Sequence, residues 1–269
     1  MELSNLFNNL WQQYTKENSQ ALEIYNLFTK CGENIINDHI ALRTFNDPRV
    51  NVDKLGKFFE KLGYQSCGEY EFSEKNLFAR HYEHKTDPRQ AKVFISELKT
   101  ENFSPFLQQQ AKKCIDKIPD NLLHSQELLY SGAIWGDLDY DIYKQLLTES
   151  EYAAWTYAFG YRANHFTVSI NELSNRFESI QVVNSFLTQN NFKLNSAGGE
   201  VKGTPNELLE QSSTMANKVP VKFKQGTFEI LNSYYEFAKR YPQDNGSLYQ
   251  GFIAKSADKI FESTNINSM

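Results

Sequence analysis

Cysteine is scarce and scattered: Cys31, Cys67 and Cys114 stand alone, in no CxxC pair. That spacing excludes a disulfide framework and gives no sign of a thiolate metal site, so the three read as core thiols. No window is apolar over the length of a membrane span. Met1-Glu2-Leu3-Ser4-Asn5 lacks the basic start and apolar core of a secretory signal, which makes the cytoplasm the expected compartment. Basic runs are absent and the formal net charge is -5, which argues against a nucleic-acid or anionic-membrane surface. Neither GxGxxG nor GxxxxGK occurs, so Gly198-Gly199 and Gly203 read as turn or bulge glycines beside a site. A small molecule is the expected ligand.

Apolar residues at 40% and charged residues at 23% of 269 residues belong to an ordinary globular chain, long enough to bury a sizeable core. Two stretches look like one device used twice: Asp38-His39-Ile40-Ala41-Leu42-Arg43-Thr44-Phe45 and Asn164-His165-Phe166-Thr167-Val168-Ser169-Ile170-Asn171. In the second, Phe166, Val168 and Ile170 alternate with Thr167 and Ser169, the period of two of a strand with unlike faces. Each histidine is followed by a polar link, a helical stretch and an aromatic: Val52 to Leu62 then Tyr64, and Arg176 to Gln189 then Phe192. The intervals agree, 25 residues from His39 to Tyr64 and 27 from His165 to Phe192. Two homologous βα modules packed side by side would bring the histidines together.

Around these units the spacing predicts amphipathic helices over Leu3–Tyr14 and Ser19–Phe28, capped at Asn18 or Ser19 and clasping the first module. Strands follow over Tyr64–Glu71, Leu77–His84 and Ala91–Leu98, making module one βαβββ. Phe103–Ile118 and Tyr140–Phe159 read as helices of a joining insertion. Module two continues with Phe192-Lys193-Leu194, a helix starting at Thr204-Pro205, and a hairpin of Val219–Phe223 with Gly226–Phe237. The fold class expected is therefore α+β: N-terminal helices over 1–34, a βαβββ module over 35–100, a helical insertion over 101–160, and a second module with a C-terminal motif over 161–269, all in a single domain.

Two imidazoles and one carboxylate on one side of a metal leave other positions free, the arrangement of non-haem Fe(II) oxygenases. Glu236 supplies the third ligand: in Ser233-Tyr234-Tyr235-Glu236-Phe237, an acid among aromatics faces inward at a cost unless paired or metal-bound. His81, His84 and His124 have no duplicated context and read as structural. Arg43 lies four residues after His39, on the same strand face, where it can hold a substrate carboxylate or simply pair with an acid. Gln211, Ser212 and Ser213 are helix surface or pocket lining.

His39-Ile-Ala-Leu-Arg43, Arg162-Ala-Asn-His165-Phe-Thr-Val, Gly198-Gly-Glu-Val-Lys-Gly203, Leu209-Glu-Gln-Ser-Ser-Thr214, Tyr235-Glu236 and Lys255-Ser256-Ala257-Asp258-x-Ile260-Phe261-Glu262-Ser263 resemble the 2-oxoadipate dioxygenase/decarboxylase family, in the vicinal oxygen chelate superfamily. The resemblance implies paired βαβββ modules of the glyoxalase/dioxygenase type and Fe(II) held by His39, His165 and Glu236. It also implies Arg43 on the substrate and a carboxylate-binding pair at Lys255-Ser256, where lysine stands in place of the family's valine. The reaction implied consumes O2 and a dicarboxylic 2-oxo acid, turning 2-oxoadipate into 2-hydroxyglutarate and CO2.

Other readings use the same residues. A glyoxalase-like lyase or hydrolase would draw four protein ligands, one pair per module, with Glu97 as the fourth and Zn2+ or Ni2+ as the metal. A non-catalytic binding protein would use the 15 Tyr and 20 Phe as pocket and core. The ligand set itself accommodates Fe(II), Mn(II), Ni(II) and Zn(II).

Overall fold

A computed structural model describes residues 2–261; Glu262 and Ser263 of the C-terminal motif lie outside the described residues. α1 (Leu3–Glu17) buries Leu6, Leu10 and Tyr14, and α2 (Ser19–Lys30) buries Ala21, Ile24 and Phe28. Asn18 caps α2, its Oδ1 accepting the Ala21 N–H at 3.1 Å. β1 (Asn37–Phe45) leads into α3 (Val52–Glu60), whose cap is Asn51 and whose buried stripe is Val52, Leu55, Phe58 and Phe59. β2 (Tyr64–Phe72), β3 (Leu77–His84) and β4 (Lys92–Leu98) complete the first unit, as the alternation predicts.

The insertion holds α4 (Pro105–Asp116), α5 (Asp120–Leu123), α6 (Tyr140–Glu149) and α7 (Glu151–Phe159). The single helix expected over Tyr140–Phe159 breaks at Ser150, which accepts the Ala153 N–H and so begins α7. All of α7 except Glu151 is buried, which makes it a core helix rather than a surface one. The second unit runs through β5 (Ala163–Ser169), α8 (Ile180–Gln189), β6 (Lys202–Thr204), β7 (Leu209–Ser213), β8 (Lys218–Phe223), β9 (Gly226–Leu231) and β10 (Tyr234–Arg240); α9 (Ala254–Phe261) follows.

Among the described residues, eight strands form one curled sheet in the order β2-β3-β4-β1-β5-β10-β7-β6. β1 runs parallel to β4, β5 parallel to β10, and β1 meets β5 antiparallel at the join. Read outward from the join, each half runs first, fourth, third, second strand. The molecule is thus an α+β fold of two mirrored βαβββ modules, as expected from the sequence.

Module two departs from expectation in detail. Helix α8 begins only at Ile180, after a short turn over Asn175–Phe177, because Ser179 caps there. Phe192-Lys193-Leu194 is not a strand; Leu194 makes only an isolated bridge to Thr214. The helix expected from Thr204-Pro205 lasts one turn, ends at Leu208 with φ 66°, and gives way to β7. Local capping is real, since Thr204 accepts the Glu207 N–H at 3.2 Å, but a strand here satisfies the open edge of β10. The expected hairpin splits too: β8 and β9 form a separate two-stranded sheet, and the chain turns at Asn232-Ser233 before β10 enters the main sheet.

α1 and α2 reach beyond the first module. Trp11 packs edge-on to Phe166 at 5.0 Å, Phe28 lies 6.0 Å from Phe237, and Phe7 touches Tyr64. These helices cover the apolar face of β5 and β10. The polar face of β5, with Thr167 and Ser169, is buried as well, so its polarity faces a protein interior rather than water.

Candidate metal centre

His39, His165 and Glu236 meet on that polar interior face, their ligand atoms all within 4.8 Å of one another. His39 Nε2 lies 3.5 Å from Glu236 Oε1, and His165 Nε2 lies 3.3 Å from Oε2. All three side chains are at most 5% exposed. Burial pushes the Glu236 carboxyl up to about 8 and pulls His39 below its usual range; His165 is held well below, by burial and then by nearby His39 and Arg43. Both imidazoles are therefore neutral, the form that ligates metal.

Each ring is fixed from behind. Asp38 Oδ1 meets His39 Nδ1 at 2.8 Å and Asn164 Oδ1 meets His165 Nδ1 at 3.1 Å. A residue next to a strand histidine would normally point to the opposite face. Here the β1–β5 register slips at both places, between Asn37 and His39 and between Ala41 and Leu42, leaving Asp38 and Asn164 as the extra residues of two β-bulges. The bulges turn these side chains back toward the rings. Although burial opposes it, Arg240 holds the Asp38 carboxyl well below the carboxylate range, through bonds of 2.6 and 2.9 Å.

Gln211, from β7, donates to Glu236 Oε1 at 2.5 Å, whereas the buried Oε2 has no hydrogen-bond partner among the described residues. Two neutral Nε2 atoms and one unsatisfied carboxylate oxygen facing one point are what a divalent cation needs, so the donor set fits a metal.

The internal symmetry offers no fourth candidate ligand at the equivalent position of module one. In module two, Tyr234 pairs with His165, and Glu236 follows two residues later. In module one, Lys92 pairs with His39, and the same step lands on Phe94, which has nothing to coordinate with. Glu97, expected as a possible fourth ligand, lies on the other face, where its Oε2 accepts the Val52 N–H at 2.7 Å and anchors the start of α3.

Arg43 is 2% exposed, one strand face along from His39. Its Nη1 donates to Glu151 at 3.1 Å and its Cζ lies 4.8 Å and 5.0 Å from the rings of Tyr152 and Trp155, while Nε and Nη2 are buried without partners among the described residues. It borders a cavity of about 210 Å³ lined by Glu74, Asn76, Ser150 and Glu151. Lys255 is exposed and Ser256 buried. Ser256 lies against Gly203, where φ is +78° and an added Cβ would fall 3.3 Å from Ser256 Oγ and 2.2 Å from Leu209 O. No hydrogen bond joins Ser256 to the three-residue cluster among the described residues.

Sequence reading missed Asp38, Asn164, Tyr234 and Phe252. The first two were visible as the residue before each repeated histidine. Tyr234 stacks on His165 at 4.7 Å and keeps its buried hydroxyl unpartnered, and Phe252 stands edge-on to His39 at 4.8 Å. Neither has a local signal, since both arrive through the fold. Gln211, ambiguous in sequence, lines the site.

With this geometry in hand, the chain compares closely with known proteins. It matches the 2-oxoadipate dioxygenase/decarboxylase family over residues 3–130 and 126–244. The rice (Oryza sativa subsp. japonica) protein named 2-oxoadipate dioxygenase/decarboxylase, chloroplastic/amyloplastic, is 35% identical over 282 residues, covering 96% of this chain and 78% of its own. The crystal structure of hydroxyglutarate synthase in complex with 2-oxoadipate from Oryza sativa superposes with a TM-score of 0.91 at 33% identity, over 98% of this chain and 92% of that one. A Shewanella frigidimarina NCIMB 400 protein, provisionally called a hydrolase, gives 0.89 at 53% identity over 94% and 98%. The mirrored modules, the buried His-His-Glu group and this extent of identity together make the chain a member of the 2-oxoadipate dioxygenase/decarboxylase family.

Proposed function

We propose that this protein is a metal-dependent dioxygenase and decarboxylase of a dicarboxylic 2-oxo acid, with Fe(II) held by His39, His165 and Glu236. Its family and its relatives' names point to 2-oxoadipate as substrate. The observation that carries the reading is the three-ligand set with Phe94 in the fourth place, since a site for O2 and a chelating substrate needs open positions. Fe(II) in this set would supply O2 activation and a template for the 2-oxo acid. In balance, 2-oxoadipate and O2 give 2-hydroxyglutarate and CO2.

The chain's own groups divide the remaining work. Asp38 and Asn164 hold the two rings with Nε2 inward, and Gln211 orients Glu236. Arg43 offers Nε and Nη2 to the distal carboxylate, a charge-assisted pair in a buried site. The unpartnered Tyr234 hydroxyl, in the electrostatic field of both Glu236 and Arg43, donates to substrate oxygen between them. Phe252 and Phe94, 5.0 Å apart, keep water from the His39 side. Ser256, with Lys255 beside it, supports the carboxylate from the C-terminal helix in this reading. A cytoplasmic site of action fits three free cysteines among the described residues.

The decisive experiment is O2 uptake by anaerobically Fe(II)-loaded protein against a panel of 2-oxo acids, with products identified by mass spectrometry. Stoichiometric O2 uptake, CO2 release and a hydroxy acid one carbon shorter is the expected result. An iron-loaded protein that consumes no O2 with any acid in the panel would replace this reading with the lyase or hydrolase one.

A further inference from the structure

A second group of metal-binding side chains lies on the outer half of module one. Cys67, His81 and Glu83 bring a thiol, an imidazole and a carboxylate together, their ligand atoms all within 4.8 Å of one another. His81 and Glu83 are two apart on β3 and share a face. Cys67 comes from the neighbouring strand, where the pairing slips between Ser66, opposite Tyr82, and Gly68, opposite His81. Cys67 is thus the extra residue of a β-bulge, the same device that turns Asp38 and Asn164 toward the first centre.

The surroundings are built for the imidazole. A Cβ at Gly68 would fall 2.8 Å from His81 Nδ1, so the ring needs bare backbone there. Tyr70 engages Nδ1 at 2.8 Å, which leaves Nε2 to face Glu83 Oε1 at 2.8 Å. Holding the far nitrogen is how proteins orient a ligating histidine. The Tyr70 oxygen also accepts the Phe252 N–H at 3.1 Å, and the Phe252 ring stands between the clusters, 5.3 Å from His81 and 4.8 Å from His39. Hydrogen bonding alone would explain His81 with Glu83. The bulge brings the Cys67 thiol to the same carboxylate, which it also hydrogen-bonds, so that three metal-ligating side chains share one point.

We propose that Cys67, His81 and Glu83 form a second, separate site for a divalent transition metal of the Zn2+ type. A sulfur, a nitrogen and an oxygen ligand suit that ion, and a tetrahedral shell needs one donor more. The exposed side of Cys67 leaves that position to water. A metal here would clamp β2 to β3 and, through Tyr70, brace the segment that places Phe252 against His39.

The test is metal counting on chelator-stripped full-length protein dialysed against Zn2+ alone. Wild type takes up two equivalents; C67S and E83Q each keep one; H165A keeps one, at the new site. C67S weakens the second equivalent by more than about 100-fold, beyond what loss of an outer partner produces. Co2+ substitution adds an independent readout, a thiolate-to-cobalt charge-transfer band that C67S removes and H165A retains. One equivalent in wild type that H165A abolishes, or a cobalt band that survives C67S, overturns the proposal.

Discussion

Arg43 and the pair Asp38 and Asn164 do different work at the residue scale, and substitutions separate them. Arg43→Lys keeps the charge but cannot reproduce a two-donor fork, so KM for a dicarboxylic 2-oxo acid should rise about 10- to 100-fold, the size of one or two charge-assisted hydrogen bonds. Metal affinity should not move, because Arg43 touches none of the three ligands. Steady-state kinetics with a dicarboxylic and a monocarboxylic acid distinguish the cases: an equal loss for both would deny Arg43 the distal carboxylate. Asp38→Asn and Asn164→Ala should have the opposite signature, lowering metal affinity by about 10- to 100-fold through misoriented rings. Competition against a fluorescent chelator measures this, and wild-type affinity in both variants would make the bulges merely structural.

At the element scale, β6 is a three-residue strand that depends on one side chain. Lys202 turns its ammonium onto the carbonyls of Asn195 and Gly199, the latter at 2.7 Å, and so ties down the loop that carries Gly198-Gly199. Burial lowers its pKa to about 8, against the opposing pull of Glu236 and Glu200. A lysine whose folded pKa lies below its unfolded value of 10.5 binds its proton less well when folded. Stability from this group therefore rises as pH climbs from about 8 toward 10.5 and is flat below. Lys202→Met should lose about 1–3 kcal/mol from the orphaned carbonyls and lack that rise. Denaturant melts at pH 7.5 and 9.5 decide: identical pH slopes in both proteins would show that Lys202 is not the group responsible.

Across the whole molecule, the proposed metal centre sits where two modules join, with candidate ligands from β1, β5 and β10. Without a cation that join holds a buried carboxylate oxygen with no partner, so a bound metal should stabilise the entire sheet rather than one loop. Thermal melting temperature should rise with Fe(II) or Zn2+ concentration above the dissociation constant and fall back on chelation, and in a C67S background, which removes the proposed second site, the rise should vanish in Glu236→Gln. A melting point indifferent to metal in wild type would place the cation, if any, outside the join.

Much of this was readable before folding. Runs bounded by turn residues located β2, β3 and β4 to within one residue at each end, because a strand with unlike faces repeats every two residues and turn residues mark where it stops. The duplicated histidine context named His39 and His165, and an acid among aromatics named Glu236, because burying charge without reason is costly. What failed were places where a local signal lost to a neighbour: Thr204-Pro205 begins a helical turn, yet β10 needed a partner strand and β7 supplied it. The sequence by itself determined the types of side chain at the centre and the repeat that carries them. Only the tertiary structure decided that Glu97 faces away, that Phe94 occupies the fourth position, and that bulges turn Asp38 and Asn164 onto the rings, since strand register and pairing are set by contacts between residues far apart in the chain.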